Sequence, residues 1–295
     1  VIGGAIIADA AGSAAGTRGA AVTGSAVDQI GQVSPTHVTY MRELIEQIPD
    51  KMKDTAHDLQ KARAVIYAVL LDNDEKVQAK QIAYIAEKAA PEIAELTKEL
   101  AKQVADMPKE ARLPLIDMAV PALREMSDET YEKFKGKVDA LIKADGRVDL
   151  FEWVLQRLLV RHLDLHFEHK PDPKVQYYNL QGLTAPCASV LSALAHIGQR
   201  DPGDAQDAFD AGASELAISS LKIQDRKAVK LKEVGLALDQ LVLASPREKQ
   251  KLIRACAKTI AADGEVTRGE GELMRAVADS LAVPMPPLLP GQKLV

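Results

Sequence analysis

The chain has 295 residues, of which 47% are hydrophobic, 27% charged and only 4% aromatic, with a formal charge of −5. That length allows two domains of ordinary size, with cores built mainly from Ala, Leu, Ile and Val. The acidic balance excludes a broad electrostatic attraction to nucleic acid or anionic lipid, and no apolar run reaches the roughly 18–20 residues that cross a bilayer. Cys187 and Cys256 are the only cysteines. They give no disulfide framework and read as small buried residues of a chain in a reducing compartment.

Residues 1–33 are rich in Gly, Ala, Ser and Thr and read as a linker, because small side chains cannot offset the entropy of ordering. The row begins with Val and carries no signal-peptide pattern; the expectation is a fragment or processed chain with more sequence upstream. Order is expected from Ser34-Pro35, a cap followed by proline in the first turn. Val38, Met41, Leu44, Ile45 and Ile48 then follow helical spacing up to Pro49. A second helix is predicted to run to about Leu71, with 65–71 buried on all sides. Asp72-Asn73-Asp74 breaks it and caps a third, carrying Val77, Ile82 and Ile85. Pro91 opens a fourth, through Ile93, Leu96 and Leu100. A fifth spans about 109–125, with a kink at Pro121. Ser127 caps a sixth, whose face is Tyr131, Phe134, Val138, Leu141 and Ile142. Asp149 opens a seventh, with Phe151, Val154, Leu155, Leu158 and Leu159 turned inward.

Pro171, Pro173 and Gly182 interrupt this pattern and place a linker at 167–184, between a first helical unit, 34–166, and a second, 185–283. Helices are predicted in the second unit at about 186–198, 202–219, 225–243, 246–262 and 267–282. A proline-rich tail, 284–295, follows. No segment reads as a strand, so the fold class is all-α, in two tandem helical units.

The tandem reading rests on a repeat. Residues 127–159 recur at 245–277, with identity at Ser127/Ser245, Lys133/Lys251, Ile142/Ile260, Ala144/Ala262, Asp145/Asp263, Gly146/Gly264, Val148/Val266, Glu152/Glu270, Leu155/Leu273 and Arg157/Arg275. The centre of each copy is Ala-Asp-Gly-x-Val. Turn chemistry accounts for every shared position. Asp149-x-x-Glu152 and Thr267-x-x-Glu270 fit capping boxes, Gly146 and Gly264 fit left-handed helix ends, and Val148 and Val266 fit staples to the core. A sharper reading is a divalent cation site built from Asp145, Asp149 and Glu152, with Asp263, Glu265 and Glu270 in the second copy. Hard cations take several oxygen ligands, so one turn needs help from a second segment, for which Asp72 and Asp74 are candidates. The spacing is not that of an EF-hand.

His162, His166 and His169 cluster with Glu168, and the i, i+4 pair His162/His166 could share a helix face as zinc ligands. Their place at a helix end favours capping or exposure instead. No H-E-x-x-H, P-loop, dinucleotide fingerprint or nucleophile elbow occurs, so no catalytic residue is assigned. The run from Lys222 to Lys232, with Arg226, Lys227 and Lys230, is diluted by Asp225 and reads as a solvated face.

Three phrases carry a resemblance: 142–153 around Ala144-Asp145-Gly146, 64–72 around Tyr67, and 161–167 around His162. Together with the Gly/Ala-rich run before Ser34-Pro35, they resemble the helical region downstream of the catalytic domain in bacterial HtpX-like membrane zinc metallopeptidases. The resemblance covers roughly 20–167. Both Ala-Asp-Gly turns, the second with Glu270, are also similar to the TerB-like fold of tellurite-resistance proteins, over mainly 110–165 and 225–283. The resemblance implies two TerB-like units forming a non-catalytic accessory region on the cytoplasmic side of an inner-membrane protein. The zinc would belong to the parent protease domain, and membrane attachment to segments upstream. The implied partner is a protein or that protease domain; no nucleic acid is expected. The second reading is a free-standing metal-binding module in a stress or tellurite response, with Asp145, Asp149, Glu152, Asp263 and Glu270 as the metal side chains.

Overall fold

A computed structural model describes residues 35–146, 148–168, 173–264 and 266–283. The linker expected at 1–33, the Ser34 cap, His169, Glu265 and the tail at 284–295 lie outside the described residues. The fold is all-α. Among the described residues there is no strand, only an isolated parallel bridge between Tyr177 and Ala244. The chain divides into two compact units. Among the described residues, 39–148 and 159–168 form the first, and 149–158 and 173–283 belong to the second.

The first unit takes in α1 (Pro35–Glu46) from Thr39 onward, then α2 (Asp50–His57), α3 (Ala62–Val69), α4 (Glu75–Lys88), α5 (Pro91–Asp106), α6 (Arg112–Arg124) and α7 (Asp128–Ile142). Its centre is α3. Ala64, Val65, Ile66, Tyr67 and Ala68 are all buried, as a helix apolar on every side requires. At about 1.5–3 kcal/mol for each large side chain removed from water, Val65, Ile66 and Tyr67 together contribute several kcal/mol. The sequence predicted a single second helix running to about Leu71, but the structure has two. The Asp58 carboxylate accepts from the amides of Gln60 (2.9 Å) and Lys61 (3.1 Å), and this local turn competes successfully with the helix. Downstream caps follow the sequence reading. Asp74 accepts from Lys76 and Val77 at the start of α4. Pro91 sits in the first turn of α5, and Ser127 accepts from Thr130 at the start of α7. The predicted α7 face, Tyr131, Phe134, Val138, Leu141 and Ile142, is buried in full.

One side chain ties this unit together without a sequence signal. Gln81 is buried on α4. It accepts from the Asp72 amide (2.8 Å) and donates to the carbonyls of Leu70 (3.1 Å) and Leu141 (3.0 Å). It thereby ties the carbonyl ends of α3 and α7 to α4.

The second unit contains α10 (Thr184–Gly198), α11 (Pro202–Leu216), α12 (Leu231–Leu241), α13 (Pro246–Ile260) and α14 (Arg268–Ser280). Its centre is α10, buried from Val190 through Ile197. Helix α11 lies close on α13: a Cβ at Gly212 would stand 2.7 Å from the Ala255 carbonyl oxygen, so glycine there is a packing requirement. Helix α12 starts at Leu231, later than the predicted 225. Asp225 instead folds a turn, its carboxylate accepting from the Lys227 amide (2.8 Å).

Helix α8 (Leu150–Leu159) groups with the second unit through residue 158, although the sequence boundary at 167–184 put it with the first. Its Arg157 explains the grouping. The guanidinium donates to Ser280 Oγ on α14 (2.7 Å) and to Asp239 on α12 (2.6 Å), and lies over the Trp153 ring. Trp153 is buried while Phe151 is only half-buried, so the inward face is rotated from the one predicted. A π-helical turn, Val160–Asp164, leads into α9 (Leu165–Phe167) in the first unit.

Candidate functional site

The two acidic turns are the candidate site, and their described backbones match at several paired positions. Helices α7 and α13 end at Ile142 and Ile260, the paired positions of the repeat. Gly146 and Gly264 follow with φ of 77° and 81°, the left-handed region where glycine alone is unstrained. The amide of Gly146 donates to the Lys143 carbonyl (3.1 Å), and that of Gly264 to the equivalent Ala261 carbonyl (3.0 Å). Helices α8 and α14 then begin at the paired positions Leu150 and Arg268.

Both turns close with reciprocal caps, as the turn reading anticipates. In the first, Asp149 Oδ1 accepts from the Glu152 amide (2.7 Å), and Glu152 Oε2 accepts from the Asp149 amide (2.9 Å). In the second, Thr267 Oγ1 accepts from the Glu270 amide (3.3 Å). Glu270 Oε2 accepts from both the Thr267 amide (2.8 Å) and the Thr267 hydroxyl (2.7 Å). These carboxylates neutralise amides that a helix start leaves without partners, and they sit at the favourable end of the helix dipole.

The remaining acidic candidates are placed differently. Asp145 and Asp263 are exposed, and Asp263 accepts from the Gln199 side-chain amide (2.6 Å). Asp72 accepts from the Asp74 amide (2.7 Å), and Asp74 caps α4. Among the described residues, no three His, Cys, Asp or Glu side chains converge as a metal-holding group.

Burial separates the two turns. Glu152 is half-buried, whereas Glu270 is 1% exposed. Burial pushes the Glu270 carboxyl up to about 7; the bonds from Thr267 oppose this, and the Asp263 charge adds to it. The carboxyl lies against the last turn of α10, where a Cβ on Gly198 would stand 2.8 Å from Glu270 Cδ.

The histidine cluster does not form a zinc face in the described residues. The π-turn offsets the i, i+4 register between His162 and His166. The His162 carbonyl accepts from Arg124 Nε (3.3 Å), while the exposed His166 ring meets Phe167 edge-on. The polar centre of this region is Asp164, which sequence reasoning passed over. It accepts from the Tyr131 hydroxyl and from Lys135 Nζ (2.8 and 3.0 Å), and Phe167 stacks on the Tyr131 ring. Burial raises the Tyr131 pKa, and the bond to Asp164 raises it further.

The cysteines are free and buried, as expected from sequence. Burial pushes the Cys187 thiol up to about 12 and raises Cys256 as well, which makes both poor nucleophiles. Within the basic run, Lys222, Lys227, Lys230 and Lys232 are exposed, which suits a solvated face. Arg226 is the exception: its guanidinium donates to the carbonyls of His196 and Gln199 and so caps the end of α10. Gln224 straps the same loop to α10, its amide donating to Ser192 Oγ (2.9 Å). Among the described residues, no helix is long and apolar enough to cross a membrane. In comparisons with known proteins, no family model, no curated protein and no solved structure matches the chain.

Proposed function

We propose that this chain is a helical interaction scaffold, the non-catalytic accessory region of a membrane-associated zinc metallopeptidase, positioned on the cytoplasmic side. It would hold a protein partner, or the protease domain itself, for cleavage performed elsewhere. The observation that supports the reading is the use made of the acidic turns: Asp149, Glu152 and Glu270 act as helix caps. A protein whose charged turns are engaged in holding helices presents shape, and shape is what a positioning module needs. The link to a metallopeptidase comes from the sequence resemblance alone.

The test is a proteolysis assay on the purified chain with an unstructured protein substrate, with and without added zinc. No cleavage is expected in either case. Zinc-dependent cleavage that copurifies with the chain overturns the proposal.

A further inference from the structure

We propose that the second corner is a proton-operated latch: Glu270 seats α14 against α10 while it carries a proton, and losing that proton loosens the segment from Ala261 to Glu270. The inference stands apart from the metallopeptidase reading, since it concerns one buried carboxyl and its surroundings.

Glu270 is 1% exposed, and among the described residues no cation pairs with it. Its Oε2 takes two bonds from Thr267. The rest of the carboxyl is pressed against the last turn of α10, in space that exists because residue 198 is glycine. Several charged and titratable groups on the surrounding elements have partners other than Glu270 or face solvent. On α10, His196 is hydrogen-bonded to the Gln224 carbonyl (2.8 Å). In the loop before α12, Arg226 is bound to α10 carbonyls. On α13, Lys258 pairs with Glu215 (2.7 Å); on α12, Asp239 pairs with Arg157, and Lys232 and Glu233 are exposed. On α14 itself, Arg268 pairs with Glu272 (3.4 Å). Among the described residues, Asp263 is a charge whose field reaches Glu270, and it has the same sign.

An ionised Glu270 therefore sits in a low-dielectric pocket, beside a like charge and under the carbonyl end of α10, penalties that the Thr267 bonds and the amino end of α14 offset only in part. A proton on the oxygen facing α10 removes all three penalties. Oε2 still accepts from Thr267, so the cap survives protonation. The first corner lacks this arrangement, because Glu152 is half-buried and solvent screens it. The latch thus belongs to one copy of the repeat, and the other is its internal control.

Hydrogen exchange of the whole chain, read by mass spectrometry at about pH 5.5 and about pH 8 and corrected for intrinsic rates, tests this. Protection of peptides covering 261–272 is expected to fall by about tenfold or more on going to the higher pH, since one pH unit of linked titration corresponds to a factor of ten. Peptides covering 143–152 are expected to change little. Glu270→Gln, which mimics the neutral form, is expected to keep its protection at both pH values. Asp263→Asn removes the like charge and is expected to move the midpoint of the wild-type transition to lower pH, which also serves if Glu270→Gln fails to fold. Equal pH response in Glu270→Gln, an unmoved midpoint in Asp263→Asn, or pH-independent protection of 261–272 in the wild-type chain overturns the proposal.

Discussion

The two corners share a backbone and differ in what surrounds it. Both use glycine in the left-handed region, and both close with a reciprocal cap three residues long. Asp149 caps one with a charge and Thr267 caps the other with a hydroxyl, and Glu152 is half-buried where Glu270 is enclosed. A repeated phrase therefore specifies the turn, while burial decides its electrostatics. The difference follows from position in the chain. Helix α14 packs within the same unit as α13, whereas α7 and α8 are divided between the two units.

Core truncation is the strongest way to probe that contrast. Leu155 and Leu273 occupy the same repeat position, and both are 0% exposed. Leu155→Ala and Leu273→Ala should each cost about 2–5 kcal/mol, the usual range for a buried leucine that leaves a cavity. Because α8 and α14 group together, denaturant unfolding should show both variants weakening the second unit and sparing the first. A Leu155→Ala variant that destabilises the first unit alone would break the assignment of α8.

The second probe is pH. The Glu270 carboxyl is raised from its ordinary 4.5 to about 7, so between these values the folded chain holds a proton that the unfolded chain has released. By linkage, stability falls as pH rises through that window. The contribution is fully present below about 4.5 and lost above about 7, with an upper magnitude of about 3 kcal/mol from 1.36 kcal/mol per unit. Thermal melts of the second unit should therefore peak on the acid side. Glu270→Gln should flatten the profile, and Glu152→Gln should leave its shape intact.

These probes also show how much was legible in the sequence. Periodicity located α7 and its buried face, because a solvated helix must alternate on one stripe. The capping boxes and left-handed glycines were legible because they depend on residues within one turn of each other. Three other features depend on chain segments far apart in sequence. Gln81 bonds Leu141 across 60 residues, and Arg157 bonds Ser280 across 123. The burial of Glu270 depends on a glycine in α10. No local pattern encodes such pairings. The break between α2 and α3 was in principle readable, since Asp58 is a natural turn former, but apolar periodicity across it masked the signal. The acidic candidates stand out in the repeated phrase, yet a phrase cannot distinguish a carboxylate that faces an amide from one that awaits a cation.

The third probe is the glycine pair. Gly146→Ala and Gly264→Ala meet no steric neighbour, so backbone strain alone sets their cost, about 1–2 kcal/mol each for an alanine held at positive φ. Equal losses would show that the two turns are energetically the same object apart from Glu270. A Gly264→Ala loss much larger than that of Gly146→Ala would mean that enclosure of the second corner stiffens its backbone as well.

The smallest expected effect is the most discriminating. Asp149→Thr and Thr267→Asp exchange the two caps. Either residue can accept from the amide three positions on, so the hydrogen bond itself should change by well under about 1 kcal/mol. The charge is what differs. At the first corner, Asp149 is exposed, and losing its charge should remove only the few tenths of a kcal/mol that a solvated carboxylate gains from the helix dipole. At the second, a new carboxylate would stand beside the buried Glu270 and near Asp263, adding a further like charge to one turn. Thr267→Asp should therefore push the Glu270 titration to still higher pH and cost more at pH 8 than at pH 5.5, whereas Asp149→Thr should show no such pH dependence. If the exchange were equally harmless at both corners and both pH values, enclosure would not be what separates them, and the two copies would be interchangeable turns.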